Sequence, residues 1–261
     1  MNSNDIQSFI FDMDGVLWRG PQTLGDPAAI FSLIQSAGKS YAFATNNSTR
    51  HISGYAEKLT ELGIPTTPDQ IFTSAKATAL VMAERYPHGG NLFIIGEDGL
   101  EQSLADHHFS SSAGAPLAVV AGLDRQLSYT KLAQAAFFIQ NGVPFIGTNP
   151  DVSFPTPTGV APGAGSILAL LQATTGISPE IIGKPQPTIF TQALEFLGTS
   201  PAQTLVVGDR LDTDIAGGIA AGCPTALLLS GVTGKAQIQP TSPKPDMIET
   251  DLTSLIEGLL K

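Results

Sequence analysis

The run Ser8-Phe9-Ile10-Phe11 gives way abruptly to Asp12-Met13-Asp14-Gly15. An apolar segment of that length reads as a buried strand, and here it ends in two carboxylates one residue apart. Acids that close repel one another unless a cation or a shared proton intervenes, so a divalent metal is their natural third party. Gly15 lets the chain turn sharply and aim backbone N–H groups at an anion. Taken alone, the string is equally a strand followed by a solvated acidic turn. Three other segments set chemistry at strand ends or in loops. Thr45-Asn46 follows the strand-like Tyr41-Ala42-Phe43-Ala44, Lys184 stands in the turn Gly183-Lys184-Pro185, and Asp209, Asp212 and Asp214 follow Thr204-Leu205-Val206-Val207. Alone, Lys184 is an ordinary solvated turn lysine. Asp209 alone is a helix cap, but the acids together exceed what a cap needs.

The elements that must position these residues alternate between strand-like and helix-like runs, which implies an α/β chain with a parallel sheet. Helices are expected over Asp26 to Gly38, Ile52 to Leu62, Ser74 to about Arg85, Tyr129 to Gln140, Ser166 to Thr175, Thr188 to Leu197 and after Asp212. Strands are expected at Asn91 to Ile95, Leu117 to Ala121 and Pro144 to Gly147, with Ala226 to Leu229 as the last. Pro87-His88-Gly89-Gly90 is a break. It divides residues 1–86 and 182–261 from an inserted 87–181. The segment Asn149 to Gly165 reads as a loop stiffened by Pro155, Pro157 and Pro162. In open α/β sheets ligands bind outside the carboxyl ends of strands, and each of the chemical segments falls at a strand end or in a loop.

Composition narrows the function classes. A net charge of -10 without a Lys/Arg cluster argues against a nucleic-acid polymer as partner. An anionic substrate would need a locally positive site within this acidic chain. The single Cys223 excludes a disulfide framework and, in its small-residue run, reads as packing. The start Met1-Asn2-Ser3-Asn4-Asp5 lacks the features of a signal peptide, and no run is long enough to span a membrane, so a cytoplasmic protein is expected. The absence of G-x-x-x-x-G-K-[ST] and of G-x-G-x-x-G after the first strand removes the main support for ATP or dinucleotide binding.

In this order the segments resemble the four motifs of the haloacid-dehalogenase-like hydrolases, closest to the branch of NagD-type nucleotide phosphatases, p-nitrophenyl phosphatases and pyridoxal phosphate phosphatases. The likeness covers essentially the whole chain, including the tail Leu229-Ser230-Gly231-Val232. It implies a Rossmann-like, doubly wound parallel sheet as catalytic core, a smaller α/β cap formed by the insertion, and a Mg²⁺-dependent phosphatase of small phosphate monoesters. Asp12 would be the nucleophile that forms an aspartyl-phosphate, and Asp14 the acid and then the base. Thr45, the Asn46 backbone and the turn at Gly15 would hold the phosphoryl oxygens, with Lys184 offsetting the charges. Asp12, the Asp14 carbonyl and Asp209 would bind Mg²⁺, with Asp214 behind them. The resemblance also implies a homodimer through the cap.

Several rival readings stand beside this one. Dehalogenation leaves Asp14 unexplained. A phospho-accepting signalling domain has no use for Asp14 or for a domain-sized insertion, and a silent binding protein has no use for the intact acids and lysine. Ile95-Gly96-Glu97-Asp98-Gly99 and Gly147-Thr148-Asn149-Pro150-Asp151 imitate the fourth and second motifs within the insertion. Glu97 and Asp98 are read as structural, and Asn149 and Asp151 as candidates to face substrate. Trp18 and Arg19 follow the first motif where the resemblance implies a short flap; without it, Trp18 is read as a partly buried aromatic beside the surface cation Arg19. The residues of 149–165 do not distinguish a nucleotide, a sugar phosphate, phosphoglycolate or pyridoxal phosphate.

Overall fold

The computed structural model describes residues 5–112, 114–156 and 158–260. Pro157 and residues 1–4, both used in the sequence reading, lie outside them. Chain contacts group the protein into two units: Met1–Thr45, Ser53–Phe72 and Lys184–Lys261 form the first, and Asn46–Ile52 with Thr73–Gly183 form the second. The helix Ser74–Arg85, which the sequence reading placed with residues 1–86, clusters with the second unit.

In the first unit the sheet strands are β1 (Ser8–Phe11), β2 (Ser40–Thr45), β3 (Ile71–Thr73), β4 (Thr204–Gly208), β5 (Thr225–Leu228) and β6 (Met247–Glu249). Their order is β6-β5-β4-β1-β2-β3, and the pairing is parallel from β6 across to β2. Every residue of β1 is buried, as a central parallel strand covered on both faces requires. From β1 the chain steps outward to β2 and β3. It later returns to β4 and steps outward on the other side, so the order reverses between β1 and β4. Such a reversal opens a crevice at the carboxyl ends of the two strands. The sheet is held by large apolar groups: the Phe31 ring lies 5.2 Å from Phe11 and 4.8 Å from Tyr41. Each buried ring of this kind contributes roughly 1.5–3 kcal/mol. Phe31 belongs to the helix Pro27–Ser36, whose start is fixed by Asp26 Oδ1 accepting from the Ala29 N–H at 3.1 Å.

The second unit carries a parallel sheet in the order Glu180–Ile181, Phe145–Gly147, Val119–Ala121, Phe93–Ile95. Helices Tyr129–Gln140 and Ala164–Thr175 cover a core that includes Ile95, Val119, Ile139 and Leu171. The segment expected as a loop from Asn149 to Gly165 instead contains an antiparallel pair, Ser153–Thr156 with Gly159–Pro162. Ala226–Leu229 is not the last strand: β6 and the helix Leu252–Leu260 follow it.

Candidate active site

Asp12 follows β1 directly and its N–H donates to Val207 O of β4 at 2.8 Å, which fixes its backbone at the reversal point. Asp209 follows β4 in the same way. The next turn, Leu211–Ile215, is a wide helical turn that brings Asp214 back beneath β4: Asp214 Oδ2 accepts from the Arg210 N–H at 3.1 Å. A β-carbon on Gly208 would come within 2.2 Å of the Asp214 Cβ, so only glycine leaves room for that acid. Lys184 is no surface lysine. It is 2 % exposed, and its ammonium donates to Asp12 Oδ1 at 2.7 Å, Asp214 Oδ1 at 2.6 Å and the Ala44 carbonyl at 3.0 Å. The last of these places it beside the end of β2, next in sequence to the buried Thr45.

Oxygens of Asp12, Asp209 and Asp214 lie within 4.8 Å of one another, all three residues being buried. Burial outweighs the attraction of Lys184 and holds the Asp12 carboxyl well above the usual carboxylate range. Burial, and then the neighbouring Asp214 carboxylate, push Asp209 up to about 7. Burial works against the Lys184 ammonium, but Asp12 and Asp214 together overcome it and hold the group above its ordinary value. Were all three acids ionised, one ammonium would leave two negative charges uncompensated, which is the deficit a dication makes good. Hard carboxylate oxygens are also the donors magnesium takes. The donor set therefore fits a divalent metal.

The turn after β1 adds to this group within the first unit. Gly15 sits at φ +86°, and a β-carbon there would meet Asp209 Oδ2 at 2.3 Å. A β-carbon on Gly231 would come still closer, 1.9 Å from the same oxygen, while the Val232 N–H donates to it at 2.5 Å. Ser230 Oγ donates to the Gly15 carbonyl at 2.8 Å, and the Arg19 guanidinium donates to the Ser230 carbonyl. Asp14 is exposed, and its Oδ1 accepts from the Trp18 indole N–H at 2.8 Å. Sequence reasoning missed that partnership, although the four-residue spacing within a tight turn was visible.

Asn46 belongs to the second unit. Its side-chain N–H donates to Asp151 Oδ2 at 3.1 Å, and its carbonyl accepts from Asn149 Nδ2 at 2.8 Å and Ser74 Oγ at 2.6 Å. Asn149 and Asp151, read as candidates to face substrate, thus hold Asn46. Glu97 is engaged by Arg125, Oε1 accepting from Nε at 2.7 Å. Asp212, exposed, pairs with Arg210 at 3.0 Å. Burial raises the Cys223 thiol to about 11, in keeping with packing.

Residues 9–110 match the family model described as haloacid dehalogenase-like hydrolase, and residues 181–255 match one described as HAD-hydrolase-like. The 5'-nucleotidase YutF of Bacillus subtilis is 36% identical over 250 residues, 96% of this chain and 97% of that one. The chain belongs to the haloacid dehalogenase-like hydrolases. An acid sugar phosphatase of Staphylococcus epidermidis is 36% identical over 98% of each chain. The crystal structure of a 4-nitrophenylphosphatase from Thermotoga maritima superposes with a TM-score of 0.93 at 31% identity, covering 98% of both. Within the haloacid dehalogenase-like hydrolases this chain is an enzyme of the phosphoric monoester hydrolase class.

Proposed function

We propose that this enzyme is a Mg²⁺-dependent phosphatase that hydrolyses small-molecule phosphate monoesters through an aspartyl-phosphate on Asp12. The observation that carries the reading is the buried Lys184 ammonium, 2.7 Å from Asp12 and 2.6 Å from Asp214, beside an acidic cluster that fits a dication. Phosphoryl transfer needs mainly in-line positioning and charge neutralisation. A carboxylate flanked by an ammonium supplies a placed nucleophile beside a group that attracts the phosphoryl oxygens.

In the first step an Asp12 oxygen forms a bond to phosphorus as the phosphorus–oxygen bond to the organic group breaks. The leaving oxygen takes that electron pair and a proton from Asp14. In the second step Asp14, now a carboxylate, takes a proton from water, whose oxygen attacks phosphorus and releases Asp12. Thr45, the Asn46 backbone and the turn at Gly15 hold the phosphoryl oxygens, and Lys184 keeps nucleophile and phosphate together. Asp12, the Asp14 carbonyl and Asp209 would hold Mg²⁺, oriented by Asp214. When bound, the metal offsets the charge on the phosphoryl oxygens.

The names of the relatives support a nucleotide, a sugar phosphate or an aryl phosphate as substrate class. Residues 87–181 are proposed as a cap that chooses among them. No helix among the described residues is long and apolar enough to cross a membrane. The single cysteine supports a cytoplasmic location. Pairing of two chains through the cap rests on the resemblance alone.

The test is p-nitrophenyl phosphate turnover by the protein and by Asp12→Asn, each with Mg²⁺ and with EDTA. Turnover should need Mg²⁺ and fall below about a hundredth in the variant, since an amide is a poor nucleophile of nearly the same shape. Greater residual activity overturns Asp12 as nucleophile, and full turnover in EDTA overturns the metal.

A further inference from the structure

Asp14 presents a physical difficulty for the role just proposed. It is exposed, and an exposed carboxylate rotates freely, whereas an acid that must meet one ester oxygen gains from being held in one place. Its partner is Trp18, only 3 % exposed, whose Nε1–H donates to Asp14 Oδ1 at 2.8 Å. The indole is itself fixed. Its residue pairs with Thr23 in a short antiparallel hairpin, and its carbonyl accepts from the Gly15 N–H at 2.7 Å. Through Gly15 it shares a frame with Asp209, whose oxygen lies where a Gly15 side chain would stand. Over the ring, 3.5 Å from its centroid, sits the Lys58 ammonium. A cation there draws electron density from the indole and makes its N–H a stronger donor. Burial alone asks only for an aromatic ring; the N–H is the part of Trp18 that reaches the acid.

We propose that Trp18, polarised by Lys58, is the positioning residue for Asp14. It engages Oδ1 and so leaves Oδ2 as the oxygen that passes the proton. That proton moves from Oδ2 to the bridging ester oxygen as this oxygen takes the electron pair of the breaking phosphorus–oxygen bond. The inference rests on the reading of Asp14 as acid given under the proposed function.

The experiment compares phenyl phosphate with p-nitrophenyl phosphate under Mg²⁺. The two esters are close in shape, but the phenyl ester has much the poorer leaving group and depends more on protonation. Since departure of the phenol is irreversible, kcat/KM reports the step in which Asp14 donates. Trp18→Phe keeps a ring and removes the N–H. It should lower kcat/KM about tenfold on phenyl phosphate and only about twofold on p-nitrophenyl phosphate, widening the ratio about fivefold, a fraction of what general acid catalysis supplies. Equal losses on the two esters, or no loss, overturn the inference, because a merely structural tryptophan would depress both alike. Asp14→Asn is the reference. If it leaves the ratio unchanged, Asp14 is not the acid and both readings fall; if it widens the ratio and Trp18→Phe does not, only the role of Trp18 falls. Should Trp18→Phe fail to fold, Lys58→Met decides: it should widen the ratio about twofold in the same direction, and an unchanged ratio overturns the inference.

Discussion

Asp209 is an acid kept from water beside another acid, and under the proposed function its proton links folding, pH and metal. Its value near 7 in the folded protein exceeds the ordinary carboxylate value of 3.8. Between those two values the native state holds a proton that the unfolded chain has lost. Stability from this group accordingly falls as pH rises through that window, the reverse of a salt-bridged carboxylate. A dication binds the ionised form, so at pH 5 it must first displace the proton and at pH 8 it need not. The rise in Tm on adding Mg²⁺ should thus be larger at pH 8 than at pH 5 when melting is followed with EDTA or with excess metal; an equal rise at both would remove Asp209 from the metal site. At this scale the grouping of Asp12, Lys184, Asp209 and Asp214 was legible in the sequence, because acids at the ends of apolar runs and a lysine between glycine and proline have few reasons to recur together. Trp18 was not legible. An aromatic next to a motif reads as packing until the turn of residues 13–18 shows where its N–H is aimed.

The loop after β5 shows what an element contributes that no single acid can. Gly231 leaves no room for a β-carbon, which would stand 1.9 Å from Asp209 Oδ2 and 2.3 Å from its Cβ. Gly231→Ala should therefore push the Asp209 carboxylate aside while sparing the sheet. We expect the Mg²⁺ concentration for half-maximal activity to rise at least about tenfold, as loss of placement costs a metal site. The melting temperature should change little. A metal titration of p-nitrophenyl phosphate turnover checks this, and an unchanged midpoint would mean that Asp209 relaxes freely. Helical elements bounded by clear breaks were readable: Ser74–Arg85, Tyr129–Gln140 and Thr188–Leu197 coincide with the helices expected. Those that failed have local reasons. Pro155 and Pro162 signal a loop, yet proline is tolerated in the strands of a two-stranded pair, where each has an unpaired edge. Met247–Glu249 is short, half-exposed and at the sheet edge, so no apolar run marks it.

For the whole molecule, the strand order β6-β5-β4-β1-β2-β3 puts the acids of β1 and β4 at one reversal point within the first unit. The α/β class was legible from alternation of runs, but this order was not, since periodicity says nothing about which strands are neighbours; the family resemblance implied a doubly wound sheet without its order. The proposed function gives the two parts of the chain different work: the first unit performs one phosphoryl transfer for every substrate, and residues 87–181 select the organic group. Asp151 and Lys184 separate these tasks. Asp151 lies in the second unit and holds Asn46 at 3.1 Å, whereas Lys184 is buried among the acids of the first. Lys184→Ala leaves Asp12 and Asp214 without their cation, and the phosphoryl group that all substrates share loses its neutralising partner. It should depress kcat/KM by a similar factor, about a hundredfold or more, across nucleotides, sugar phosphates, phosphoglycolate and pyridoxal phosphate. Asp151→Ala removes a partner of the Asn46 side chain, which costs every substrate a little; its larger effect should be to reorder the panel, because it loosens a segment continuous with the hairpin Ser153–Thr156 and Gly159–Pro162. Measured kcat/KM values for both variants over one panel decide the matter. A uniform loss in Asp151→Ala together with a rearranged ranking in Lys184→Ala would reverse the assignment of tasks to the two parts of the chain.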